Sequence, residues 1–147
     1  PDRPGVSALL FESLAHANVN VDMIVQNTSI DGSTDISFTL PLGDIATALP
    51  ILKKVGDEVG AKGVSQDENI VKLSLVGAGM KSSPGIAAKM FRVLADNNVN
   101  IEMISTSTIR ISVVVERNIL ETAIRALHTA FDLDSGQDYS APLPERK

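Results

Sequence analysis

The sequence predicts an α+β fold built from two copies of one unit. Each copy is ordered strand, helix, strand, strand, helix, strand. Three observations predict it: an internal duplication, apolar spacing that switches between helical and strand periods, and turn residues at the junctions. Residues 4–24 align with residues 84–104 at a shift of 80, and 11 of the 21 pairs are identical. These include Pro4/Pro84, Gly5/Gly85, Phe11/Phe91, Leu14/Leu94, Asn18/Asn98, Val19/Val99, Asn20/Asn100 and Met23/Met103. Val6/Ile86, Val21/Ile101 and Asp22/Glu102 are conservative. Farther on the shift becomes 75, matching Ile36-Ser37 to Ile111-Ser112, so the first copy carries five extra residues near Ile30-Asp31-Gly32-Ser33. That cluster is a hairpin turn signal. A repeat of this strength sets the architecture before any single element does.

The elements follow in order. Pro4-Gly5 opens a helix over about 5–17, where Val6, Leu9, Leu10, Leu14 and Ala17 recur at helical spacing. Val21 to Ser29 reads as a strand and Thr34 to Leu40 as its hairpin partner. Asp44 is placed to cap a second helix running to Val59, with Ile45, Leu49, Leu52, Val55 and Val59 apolar. Gly60 to Asn69 reads as a turn with a short edge strand, and Ile70 to Val76 alternates as a half-buried strand should. The second copy then gives a helix over 85–97, strands over 101–107 and 109–116, and a helix over 118–131. The predicted units are 1–69 and 70–133, with a polar tail at 134–147 that contains Pro142 and Pro144. The pattern is ferredoxin-like. The first copy lacks its leading strand and the second its closing strand, so upstream sequence or a partner chain is expected to supply them.

Composition narrows the function. Hydrophobic residues reach 44% and aromatics only 3%, which predicts a packed, aliphatic core. A net charge of −5 argues against a nucleic-acid surface. The absence of Cys excludes disulfides, thiolate metal sites and cysteine nucleophiles. No apolar run has the roughly 18 residues of a membrane span, and no secretory signal is visible, so a soluble cytoplasmic protein is expected. Residue 1 is Pro, which reads as a processed or trimmed start.

Several motifs invite chemistry. Gly77-Ala-Gly79 after a strand, with Glu102 downstream, loosely resembles a dinucleotide-binding turn. Ser82 at the third glycine position, a helix that begins only near Pro84, and a hairpin after Glu102 all oppose it. His16 and His128 occupy different helix positions with no serine or carboxylate constellation, and read as solvated helix faces. Asp57-Glu58 and Asp67-Glu68 read as surface charge. No active site is expected. The stronger signal is the start of each first helix. Pro4-Gly5 and Pro84-Gly85 place unpaired N–H groups where a carboxylate is attracted. Asp2 can meet an ammonium, and Asn20 and Asn100, leading the next strands, offer amide donors and acceptors. Together they suit a free amino acid. A plain turn and a plain strand start explain the same residues, and the sequence leaves the two readings level.

Longer stretches resemble a known family. Asp2-Arg-Pro-Gly5, Asn20-Val-Asp-Met23, Gln26-Asn27, the Val-Gly-Ala-Gly-Met run ending at Met80, and Ile104-Ser-Thr-Ser-Thr-Ile-Arg-Ile-Ser112 look like the regulatory region of the aspartokinases, a pair of ACT domains. The resemblance covers about residues 1–133. It implies a region that binds threonine, lysine or both and inhibits aspartate phosphorylation allosterically. It also implies a homodimer with sheets continued across chains, and a catalytic domain or α subunit as partner. No cofactor is implied here; ATP and Mg would belong to the kinase domain.

Residue by residue, the resemblance implies one effector pocket at Asp2, Gly5, Ser7 and Gln26, closed by Asn100 and Ile101. It implies a second at Asn20, Val21, Asp22, Met80, Ser83, Ala87, Ser107 and Thr108. Ser29 and Ser37 fall where feedback-resistance changes cluster in the family. Thr108 stands where the family usually has Glu, a natural partner for a lysine ammonium. That departure counts against lysine at the second pocket and implies weaker lysine sensing, another effector or a vestigial site. The competing readings are a dimerisation module with degenerate pockets, the regulatory domain of another amino-acid biosynthetic enzyme, and an autonomous enzyme on this fold.

Overall fold

A computed structural model describes residues 1–30, 32–77 and 85–133. The chain divides into two compact units, one ending at Glu68 and the other beginning at Asn69. The first runs α1 (Val6–His16), β1 (Ile24–Thr28), β2 (Thr34–Phe38) and α2 (Ile45–Val59). The second runs β3 (Ile70–Val76), α3 (Ile86–Asp96), β4 (Met103–Thr106), β5 (Arg110–Glu116) and α4 (Leu120–Ala130). The fold is α+β in both, with helices against small antiparallel sheets.

The register repeats the duplication. In the first unit Ile24 faces Phe38, and in the second Ile104 faces Val113, the same pair at shifts of 80 and 75. The Asp22 N–H donates to the Thr39 carbonyl at 2.9 Å, and the Glu102 N–H donates to the Val114 carbonyl at 2.9 Å. The extra residues of the first copy form a longer hairpin loop, closed by the Ser29 N–H on the Ser33 carbonyl at 2.8 Å.

The two sheets differ in depth. The second has the order β3-β5-β4, so β5 is bonded along both edges. Its residues Ile111 to Val115 are all buried. In the first unit the described sheet has two strands, and Ile36 and Phe38 of β2 are only half-buried. Met90, Leu94, Val113, Val115, Ala123 and Leu127 anchor one core. Leu14, Val19 and Ala48 anchor the other. The cores are mainly aliphatic, but all four phenylalanines line their margins. Phe11 and Phe38 meet edge-to-face at 5.4 Å and 72°, an aromatic pairing of the preferred geometry.

Several expectations are corrected. Residues 61–69 form no strand; they are exposed, and Val64 is their one large apolar side chain. Asp44 makes no side-chain cap on α2. It lies inside a 3-10 turn, Leu42–Asp44, with right-handed backbone, whereas a capping side chain needs extended backbone at that position. Asn20 and Asn100 precede their strands, which begin at Ile24 and Met103. The glycine-rich turn at 78–84 and the tail at 134–147 lie outside the described residues.

Candidate functional site

The site begins with a backbone conformation. Gly5 caps the N-terminus of α1 at φ 95°, and Gly85 caps α3 at φ 101°. A side chain in that left-handed region is strained, which is why both copies keep glycine. The Gly5 carbonyl accepts from the Leu9 N–H at 2.9 Å, and the Gly85 carbonyl from the Lys89 N–H at 2.8 Å. Each helix is therefore wound from its first residue, and the N–H groups of its first turn have no intrahelical acceptor. Neither first turn contains an acidic side chain that would compete for this positive end. A Cβ built on Gly5 would meet no atom within 4 Å, so the approach is open.

Beside this terminus, the Ser7 hydroxyl donates to Oε1 of Gln26 at 3.1 Å. Gln26 lies on β1 opposite Ile36, on the same face as Phe38, which packs against Phe11 of α1. The bond fixes the amide orientation and leaves Nε2 as the outward donor. Asp2 is exposed, and its N–H donates to the Gly32 carbonyl at 3.2 Å, tying the leading segment to the β1–β2 loop. Gly5, Ser7 and Gln26 thus form one half-site, with Asp2 anchored nearby through its backbone. It offers N–H donors at a helix end, an amide donor and a carboxylate, which is the chemistry needed to hold a zwitterion.

The other predicted residues fall elsewhere. Asn20, Val21 and Asp22 follow the opposite end of α1, about 16 Å away for an 11-residue helix. Ser37 faces Val25 on the side of the hairpin away from Gln26, and Ser29 closes the loop. Asn100 and Ile101 belong to the second unit; Asn100 is exposed and Ile101 packs against the core. Ala87 is half-buried against the same core. Ser107 and Thr108 are exposed at the β4–β5 turn, where Ser107 Oγ accepts from the Ile109 N–H at 3.4 Å. Met80 and Ser83 lie outside the described residues. Among the described residues no cluster of His, Asp or Glu could hold a metal, and no helix is long and apolar enough to cross a membrane.

The hydroxyl of Thr34 is buried and has no hydrogen-bond partner.

Comparison with known proteins places this geometry in a family. The family model for the ACT domain matches residues 1–55 and 73–131, one segment in each copy. A solved chain described as aspartokinase alpha and beta subunits is 47% identical, with 90% of this chain and 86% of that one covered at a TM-score of 0.83. The ligand-free regulatory subunit of aspartate kinase from Thermus thermophilus is 40% identical, with 89% and 87% covered at a TM-score of 0.81. The chain belongs to the ACT-domain regulatory region of the aspartokinases. An aspartate kinase of Stutzerimonas stutzeri is 50% identical over 135 residues, which is 92% of this chain and 33% of that protein. The chain therefore spans about a third of the length of the curated aspartokinase relatives it matches. The helix start at Gly5 and the Ser7–Gln26 bond are, accordingly, features of an aspartokinase regulatory region.

Proposed function

We propose that this chain senses an end-product amino acid, threonine or lysine or both, and so feeds back on aspartate phosphorylation by an aspartokinase catalytic domain or subunit. The observation that carries the reading is the open N-terminus of α1 at Gly5, flanked by the Ser7–Gln26 hydrogen bond. The effector's α-carboxylate lies on the first-turn N–H groups of α1. Gln26 Nε2 donates to an effector oxygen, and the Asp2 carboxylate meets the ammonium. These contacts exist only when the leading segment, α1 and β1 hold their described arrangement. The effector therefore favours that arrangement over any in which they part. Inhibition follows as a population shift, provided the effector's affinities for the two arrangements differ.

The region acts as a homodimer in this reading. Among the described residues nothing pairs with the β2 edge that is not bonded to β1, whereas the matching edge of β5 is bonded to β3, and a second copy of the region could cover that edge. Calorimetric titration of the chain with L-threonine and L-lysine tests the proposal. Saturable heat with at least one of them supports sensing. No heat and no thermal stabilisation at millimolar ligand would leave a dimerisation module with degenerate pockets.

A further inference from the structure

We propose that the groove between α3 and α4 is a self-association surface, at which two copies of this chain meet about a twofold axis with Asp96 of each against Arg125 of the other. The contact is independent of amino-acid sensing at α1.

The groove has a volume of about 450 Å³. Val93 of α3 and Ala126 and Ala130 of α4 line it, all half-buried, and Asp96 and Arg125 line it as exposed charges. Spacings of three and four residues put these side chains on one face of each helix. Arg125 forms no ion pair among the described residues. Asp96 meets Arg92 through Oδ1 at 3.8 Å, with both side chains largely exposed. Such a pair is worth little, and it leaves Oδ2 of Asp96 available.

The first copy shows that the fold does not require this arrangement. At the shifts of 80 and 75, Asp96 and Arg125 correspond to His16 and Pro50, and Ala126 and Ala130 to Ile51 and Val55. Ile51 packs against the first core and Val55 is buried. The second copy thus has smaller side chains at two positions and opposite charges at two others, and all four changes fall in one groove. Smaller side chains forfeit packing unless another surface covers the floor.

The charge pattern selects the occupant. A groove that carries one cation and one anion is self-complementary under a twofold axis, because each charge then meets its opposite twice. A purely acidic or purely basic partner would gain at one charge and lose at the other. Two helices a side make a small interface, in the range of weak, concentration-dependent contacts. Added to a sheet-edge dimer, the helix contact gives a tetramer; alone it gives a dimer.

The test is sedimentation equilibrium of the wild-type, Asp96→Lys and Arg125→Glu chains. Each substitution puts two like-charge pairs into the twofold contact. At a concentration where the wild type is fully associated, each variant should therefore show half the wild-type mass. An equimolar mixture of the two variants restores both attractive pairs and should recover the wild-type mass. Both residues are exposed, so the variants should melt with the wild type. A wild-type mass kept by either single variant, or a mixture that stays at half mass, overturns the contact. A chain ending at Leu133 that associates more strongly than the full chain assigns the groove to the tail instead, which also overturns it.

Discussion

Asn18 and Asn98 hold the same left-handed conformation, at φ 59° and φ 57°, each one residue past the C-cap, Ala17 of α1 or Asn97 of α3. Each N–H closes on the carbonyl two positions inside the helix, Ala15 or Ala95, at 2.9 Å. The next residue, Val19 or Val99, closes on Leu14 or Leu94 at 3.0 and 2.9 Å. Both valines and both leucines are buried. This is a Schellman cap with its hydrophobic contact. Asn98→Ala, which puts an ordinary side chain in that conformation, should lower stability by about 1 kcal/mol. Asn98→Gly should be neutral or slightly stabilising. Urea unfolding of the two variants checks this, and an Ala variant as stable as the Gly variant would refute the cap.

The buried serine of β5 supplies a second prediction. Ser112 is 4% exposed, and its hydroxyl is 2.8 Å from that of Ser74 on β3. Ser74→Ala leaves Ser112 unpaired and should cost about 1–3 kcal/mol, whereas Ser74→Ala with Ser112→Ala should recover part of that loss. Additive losses in denaturant unfolding would contradict the pairing.

Core depth should separate the two sheets. Val113 is fully buried in a strand bonded on both edges, while Ile36 is half-buried in the two-stranded hairpin. Val113→Ala should destabilise more than Ile36→Val, which removes a single methyl group and should cost about 0.5–1.5 kcal/mol or less. Denaturant midpoints give the comparison.

Ser7→Ala should weaken threonine binding about twofold to tenfold, because Gln26 loses the bond that orients its amide. Melting should be nearly unchanged, since the pair is exposed. A fall in melting temperature with intact affinity would make the bond structural instead.

Gly5→Asp should abolish effector binding, but any side chain at φ 95° also strains the backbone. Gly5→Asn carries nearly the same shape without the charge. The half-site account predicts that Asp weakens binding far more than Asn, by repelling the ligand carboxylate. Equal losses in calorimetry would attribute the effect to strain alone.

The duplication made most of the fold legible. Shifts of 80 and 75 residues, read from identities alone, reappear as matching hydrogen bonds at Asp22 and Glu102. Local chemistry was harder to read. Asp44 looks like a cap in sequence, yet the preceding residues wind into a 3-10 turn that removes the conformation a cap requires. Asn18 and Asn98 passed as part of the repeat because left-handed backbone leaves no hydrophobic period to detect.

The most direct test of amino-acid sensing at α1 is an amide chemical-shift map of the labelled chain during titration with L-threonine. The account predicts saturable shifts that are largest at Gly5, Ser7 and Ala8 and at the Gln26 side-chain amide. Shifts confined to other elements, or none at millimolar threonine, would contradict it.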